Sequence, residues 1–133
     1  MSDTVPTTSL SEADAIALAR GLGWFSIGLG LAELLAPRAL ARSLGMPGRT
    51  GLLQVYGLRE IGAGIGALAA RDPTPWIQGR VAGDALDLAT LAAAYPDNRR
   101  KGSLLLAVAA VAGVTVLDVA CAGALARERA ARR

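Results

Sequence analysis

Seven ionisable residues interrupt otherwise apolar stretches of helix length: Glu33, Arg59, Glu60, Arg80, Asp84, Asp87 and Asp118. A charge in such a position is costly unless it is paired, protonated or facing a wet cavity. The chain must gather these groups inside a helical assembly and leave its outer faces apolar. That requirement predicts an all-α fold, a four-helix bundle crossing a membrane around a buried polar network.

The breaks in the apolar pattern set the expected helices. Residues 1–10 are polar and carry Pro6, so they are expected to be disordered. Ser11 precedes Asp14 by three, the spacing of a capping box. One membrane domain over 11–126 should hold helices at about 11–36, 51–70, 75–95 and 103–126, each near the roughly 20 residues that a bilayer needs. Pro37 ends the first. Gly45, Met46, Pro47 and Gly48 mark a basic loop, with room for a short surface helix over 38–44. Residues 127–133 read as a basic tail. Trp76 and Tyr95 bracket the third stretch, 19 residues apart, or about 28 Å on a helix. That is close to the hydrocarbon thickness, and both residue types favour the interfaces.

Composition alone leaves a soluble alternative, an Ala-rich bundle with its charges in water. Hydrophobic residues make up 53% of the chain and aromatics 4%. The 16 glycines weigh towards the membrane, because many fall inside the helical stretches. There each costs about 1 kcal/mol against alanine in a water-exposed helix. In a bilayer, small residues let helix backbones approach closely. The run Gly62-Ala63-Gly64-Ile65-Gly66 fits that use better than a dinucleotide loop, since it follows no strand and has the wrong glycine spacing.

All but one of the 14 basic residues are arginines, Lys101 being the exception. They lie mostly in loops and tail, as lipid-headgroup anchors would, and no basic stripe interleaved with aromatics suggests a nucleic-acid partner. The chain has no histidine, which removes the usual haem and zinc ligands, and no cofactor or metal is expected. Cys121 stands alone, so no internal disulfide is possible; it reads as a small packing residue. Asp3, Glu12 and Asp14 precede the first apolar stretch where a signal peptide would be basic, so that stretch is expected to remain in the mature protein. Four spans put both termini on one side. Arg20, Arg71, Arg127, Arg129, Arg132 and Arg133 then tie with Arg38, Arg42, Arg49, Arg99, Arg100 and Lys101 across the membrane. The Arg-dense tail favours cytoplasmic termini, and the tie leaves room for dual topology.

Helical geometry groups the seven charges. With Arg80 at 0°, Asp84 falls at about 40° and Asp87 at about −20°, one shared arc. Arg80 and Asp84 are four apart and can pair within the helix. Measured from the 71–74 turn, Arg80 lies about 7 Å deep, Asp118 about 12 Å, Asp84 about 13 Å, and Asp87 and Arg59 about 18 Å. Arg59 should therefore meet Asp87 before Asp84, and Arg80 should meet Asp118 or Asp84. Gly62 and Gly66 share the face of Arg59, while Glu60 points elsewhere and needs another neighbour, a second protomer or a cavity. Glu33 lies near the opposite membrane face, within reach of Arg38, Arg42 or Arg100. Five acids against two arginines is more negative charge than a low-dielectric layer holds, so at least one acid should be protonated, hydrated or cation-bound. Asp84, Asp87 and Asp118 are a conceivable divalent site.

The phrases Gly28-Leu29-Gly30-Leu31-Ala32-Glu33-Leu34, Gly57-Leu58-Arg59-Glu60-Ile61 and Arg80-Val81-Ala82-Gly83-Asp84-Ala85-Leu86-Asp87-Leu88 resemble small bacterial four-helix membrane proteins of unknown function, DoxX-like in outline. Similar segments accompany cyclase/dehydrase-type domains, but that domain is absent here. The resemblance covers about residues 20–95 and implies a four-span bundle in the bacterial inner membrane, with no catalytic residue to transfer. With no nucleophile–base pair in sight, the expected function is non-enzymatic. It is a structural or accessory subunit, homo-oligomeric or part of a larger membrane complex. The alternative is a proton- or cation-coupled carrier of a small or lipophilic molecule.

Overall fold

A computed structural model describes residues 10–132. The disorder expected over 1–10 falls outside them, save for Leu10. The described chain is all-α, and it contains five helices where four were expected: α1 (Glu12–Leu35), α2 (Pro37–Ser43), α3 (Thr50–Ala69), α4 (Thr74–Ala94) and α5 (Lys101–Ala131).

Local chemistry accounts for the boundaries. The Asp14 amide donates to Ser11 Oγ at 3.1 Å and caps α1. Ala36 leaves helical geometry, and Pro37 restarts the chain as the first residue of α2, where its missing N–H costs nothing. The surface helix that restart produces is the fifth. Gly45 and Gly48 then take left-handed backbone, φ +68° and +85°, which glycine adopts without strain. Asn98 ties this loop to the one before α5. Its Nδ2 donates to the Leu44 carbonyl at 2.8 Å, and its Oδ1 accepts from the Arg100 amide at 2.6 Å. At the opposite end the Thr74 amide donates to Asp72 Oδ1 at 3.0 Å in the turn that leads into α4. The residues expected as a basic tail continue α5 as far as Ala131.

The four long helices form a ring. α1 packs on α3 and α5, and α4 packs on the same two. The α1–α3 seam is the tightest. A Cβ at Gly30 would sit 2.5 Å from the Gly57 carbonyl oxygen, and one at Gly64 would sit 2.5 Å from that of Gly23. Paired glycines seven apart on antiparallel helices thus bring the two backbones together. Gly66 instead makes room for the Trp76 ring and Gly83 for the Arg59 guanidinium, both at the α3–α4 contact. Gly62 meets nothing. The smooth face of α3 is therefore split between two neighbours.

An apolar core of Ala15, Ala19, Leu22, Ala67, Ile77 and Cys121 fills the end near the 71–74 turn. Cys121 is free and buried there. Met46, Leu91 and Leu104 form a smaller cluster at the α2 end.

Of the five helices, α1 and α5 alone are long and apolar enough to cross a membrane. By length and composition, then, two of the four expected spans qualify. α4 falls short because Arg80, Asp84 and Asp87 interrupt it, and α3 because of Gln54, Arg59, Glu60 and its glycines. The charges of these two helices turn inward: Arg80 is 1% exposed, whereas Leu106 on the outer face of α5 is 74% exposed.

Candidate functional site

The polar network lies mid-bundle and divides into two tiers. The closed tier is built on Arg80. Its Nε donates to Asp118 Oδ1 at 2.9 Å, its Nη2 to Asp118 Oδ2 at 3.3 Å and its Nη1 to Glu60 Oε2 at 2.9 Å. One α4 guanidinium thus joins α3 to α5, and the planar fork of arginine suits it to the paired contact with Asp118. The Ser26 hydroxyl of α1 lies 2.6 Å from the Glu60 carbonyl and 2.5 Å from Glu60 Oε2. All four side chains are buried, and the Phe25 ring covers the guanidinium at 6.0 Å.

The open tier is built on Arg59. Its Nη2 lies 3.0 Å from Asp87 Oδ1 and 3.3 Å from Glu60 Oε1. Arg59 is 28% exposed and Asp87 18%. The Tyr56 ring lies 5.4 Å from the guanidinium, and its hydroxyl meets Thr90 Oγ1 at 2.6 Å. Thr90 spends its own proton on the Leu86 carbonyl, so Tyr56 is the donor. Two polar atoms in this tier have no partner among the described residues, Arg59 Nε and Asp84 Oδ2.

Several expected contacts are present. Arg59 reaches Asp87, and Arg80 reaches Asp118. Glu60, which lacked an assigned neighbour, is met by Arg80 and Ser26 inside the same chain. Others are not. Arg80 makes no ion pair with Asp84; its ion pairs go to Glu60 and Asp118. Glu33 is 8% exposed and, among the described residues, forms neither an ion pair nor a hydrogen bond; Arg38, Arg42 and Arg100 do not reach it. Ser26 went unnoticed in the sequence, although it stands seven residues before Glu33 and hence on nearly the same helix face. Asn98 was missed because its role depends on two loops meeting in space.

One carboxylate oxygen each from Glu60, Asp84 and Asp87 lies within 4.8 Å of the others. This is the trio able to hold a cation. Asp118, expected in it, is not one of the three, and Glu60, whose oxygens also meet Arg80 and Arg59, takes its place. Four carboxylates here face two guanidiniums, so a divalent cation or two protons would balance the layer. Carboxylate oxygens suit hard cations.

No known family matches this chain. No characterised protein and no solved structure matches it either. The likeness to DoxX-like proteins therefore stands on the quoted phrases alone, and no role comes to these residues from a relative.

Proposed function

We propose that this chain is an integral membrane protein whose buried carboxylates take up protons or a cation, coupled to the carriage of a small or lipophilic molecule. The observation that carries the reading is the Glu60–Asp84–Asp87 group, with Asp84 3% exposed and its Oδ2 unpartnered. A buried carboxylate oxygen without a partner is expensive, and binding a cation or proton removes that cost. The distribution of polarity supports a bilayer setting. Trp24, Leu35, Val55, Leu106 and Val116 are exposed while Glu60, Arg80, Asp84 and Asp118 are buried, the reverse of a water-soluble surface. Trp76 and Tyr95 stand exposed at the two ends of α4, as interfacial anchors would. On this reading α3 and α4 also span, their charges shielded by α1 and α5. Residues 11–126 act as one membrane domain of a cell membrane, with cytoplasmic termini and an oligomeric assembly.

A second reading has its own support. Arg80 joins α3, α4 and α5, as a pin for helix register would. On that view the protein is a structural or accessory subunit. Flux in reconstituted vesicles separates the two. The carrier reading expects wild-type proton or cation flux that Asp84→Asn abolishes while assembly is unchanged. Absence of flux from well-assembled wild type would favour the subunit. Extraction tests the membrane setting itself: a protein soluble and monomeric without detergent would sink both.

A further inference from the structure

At the α2 end of the bundle a cavity of about 120 Å³ opens beside the network. Its walls are apolar, with Met46, Leu53, Leu91 and Val111 among them, and its polar lining consists of Glu33, Tyr56, Asp87 and Thr90. The two hydroxyls are spent on each other, the Tyr56 proton going to Thr90 and the Thr90 proton to a backbone carbonyl. Asp87 is held by Arg59. Glu33 is the exception. It is more than nine-tenths buried, faces this space, and has no partner among the described residues.

We propose that this cavity binds a small alkylammonium, its ammonium group against Glu33 and its hydrocarbon body against Met46, Leu53 and Leu91. An anion is disfavoured by two carboxylates in the lining. A neutral apolar guest would leave Glu33 unpaired, which a low-dielectric site penalises. A hydrated metal ion finds one unengaged carboxylate and mostly hydrocarbon, a poor exchange for its water. An ammonium carries three donors and so can bring its own polar contacts to Glu33. Size limits the body: an apolar cavity of about 150 Å³ accepts benzene, so about four to six carbons suit this one.

Asp87 belongs both to this lining and to the Glu60–Asp84–Asp87 group. A cation in either place therefore raises the cost of a second in the other, which is negative coupling between the two sites. As cargo, the ammonium rests on the carrier reading; as a bound ligand it does not.

The test uses the full chain in neutral detergent, with n-butylammonium as probe and 1-butanol as its uncharged counterpart. The methyl resonance of Met46 reports occupancy. Near pH 8 an alkylammonium, like a lysine side chain with pKa about 10.4, is charged. Butylammonium should shift the Met46 signal saturably, at concentrations at least tenfold below those butanol needs. Glu33→Gln, a nearly isosteric change, should weaken butylammonium at least tenfold and leave butanol unaffected. Leu53→Phe should fill the cavity and remove both responses. Equal titration by butanol and butylammonium overturns the proposal, as does a Glu33→Gln variant that binds like wild type. Asp84→Asn should keep butylammonium binding while losing flux. Binding in a wild type that carries no flux upholds this site and sinks the carrier; flux without butylammonium binding does the reverse.

Discussion

The closed and open tiers contain the same chemistry, arginine among carboxylates, yet they differ in saturation. Around Arg80 the donors meet carboxylate oxygens within 3.3 Å, and the shell is buried from α1, α3 and α5. Around Arg59 one nitrogen is shared between two acids, Nε has no partner, and the group is partly exposed. The contrast separates what a buried ion pair does for a fold from what it does for a ligand. A cluster in which every guanidinium nitrogen already meets a carboxylate offers a newcomer less, and it holds three helices in register. An unsaturated one can exchange a partner, and it borders the cavity. Burial alone does not predict which is which, since Asp84 is nearly as buried as Asp118 but lacks its guanidinium.

Removing the arginines should break or uphold this contrast most directly. Arg80→Met strands Asp118 and leaves Glu60 only its 3.3 Å contact with Arg59 and the Ser26 hydroxyl, and loss of one partner from a buried pair costs about 3–5 kcal/mol. Arg59→Met should cost less, because a single Arg59 nitrogen serves both of its pairs and Glu60 keeps Arg80. Thermal unfolding in detergent reads both, and equal losses would erase the distinction between tiers.

The α1–α3 seam sets how closely Ser26 approaches Glu60. Gly57→Ala drives a methyl against the Gly30 backbone at 2.7 Å and should cost about 1–3 kcal/mol by overpacking. Gly62→Ala, which meets nothing, should be neutral or stabilising by up to about 1 kcal/mol. Denaturation midpoints of the pair measure this difference, and similar losses at both glycines would refute the seam.

In the open tier, Arg59→Met with Asp87→Leu exchanges a charge pair for apolar groups of similar volume. Such exchanges are often neutral, so the double variant should unfold within about 1 kcal/mol of wild type. The same exchange at Arg80 and Asp118 takes from Glu60 its 2.9 Å partner and should fail that standard. Yield and unfolding temperature decide it. A double Arg59/Asp87 variant that does not assemble would make the open tier as structural as the closed one.

The smallest effect belongs to a site outside both tiers. Hydrogen bonds from Thr74 hold the Asp72 carboxyl below its usual range. Asp72→Ala should cost under about 1 kcal/mol, the lower part of the range for a single hydrogen bond. Because its folded pKa is depressed, that contribution is present at neutral pH and fades as pH falls through the folded value. A stability difference between variant and wild type that persists in strong acid would contradict the assignment.

Much of this arrangement was legible beforehand. The Ser11 cap, the stop at Pro37 and the polar 71–74 turn follow from local backbone chemistry, which neighbours in space seldom override. The Arg59–Asp87 pair follows from helical rise, because level residues on packed helices meet, whereas helical rise left Arg80 open to Asp118 or Asp84. The partners of Glu60 did not follow. Its azimuth on α3 says where it points, but only the crossing of α1 over the Gly23–Gly64 and Gly30–Gly57 contacts decides that Ser26 stands there.

By itself, then, the sequence determined an all-α chain with seven inward-seeking charges, since periodicity and the cost of burying charge are local and one-dimensional properties. Tertiary structure alone decided which acids found Arg80. Spacing left Arg80 open to Asp118 or Asp84, and in the fold it pairs with Asp118 and Glu60 and not with Asp84, four residues away on the same helix. It also decided that Glu33 faces a cavity and not a loop arginine. A helix can state that a charge lies near its end, but the space in front of that charge belongs to the elements packed around it.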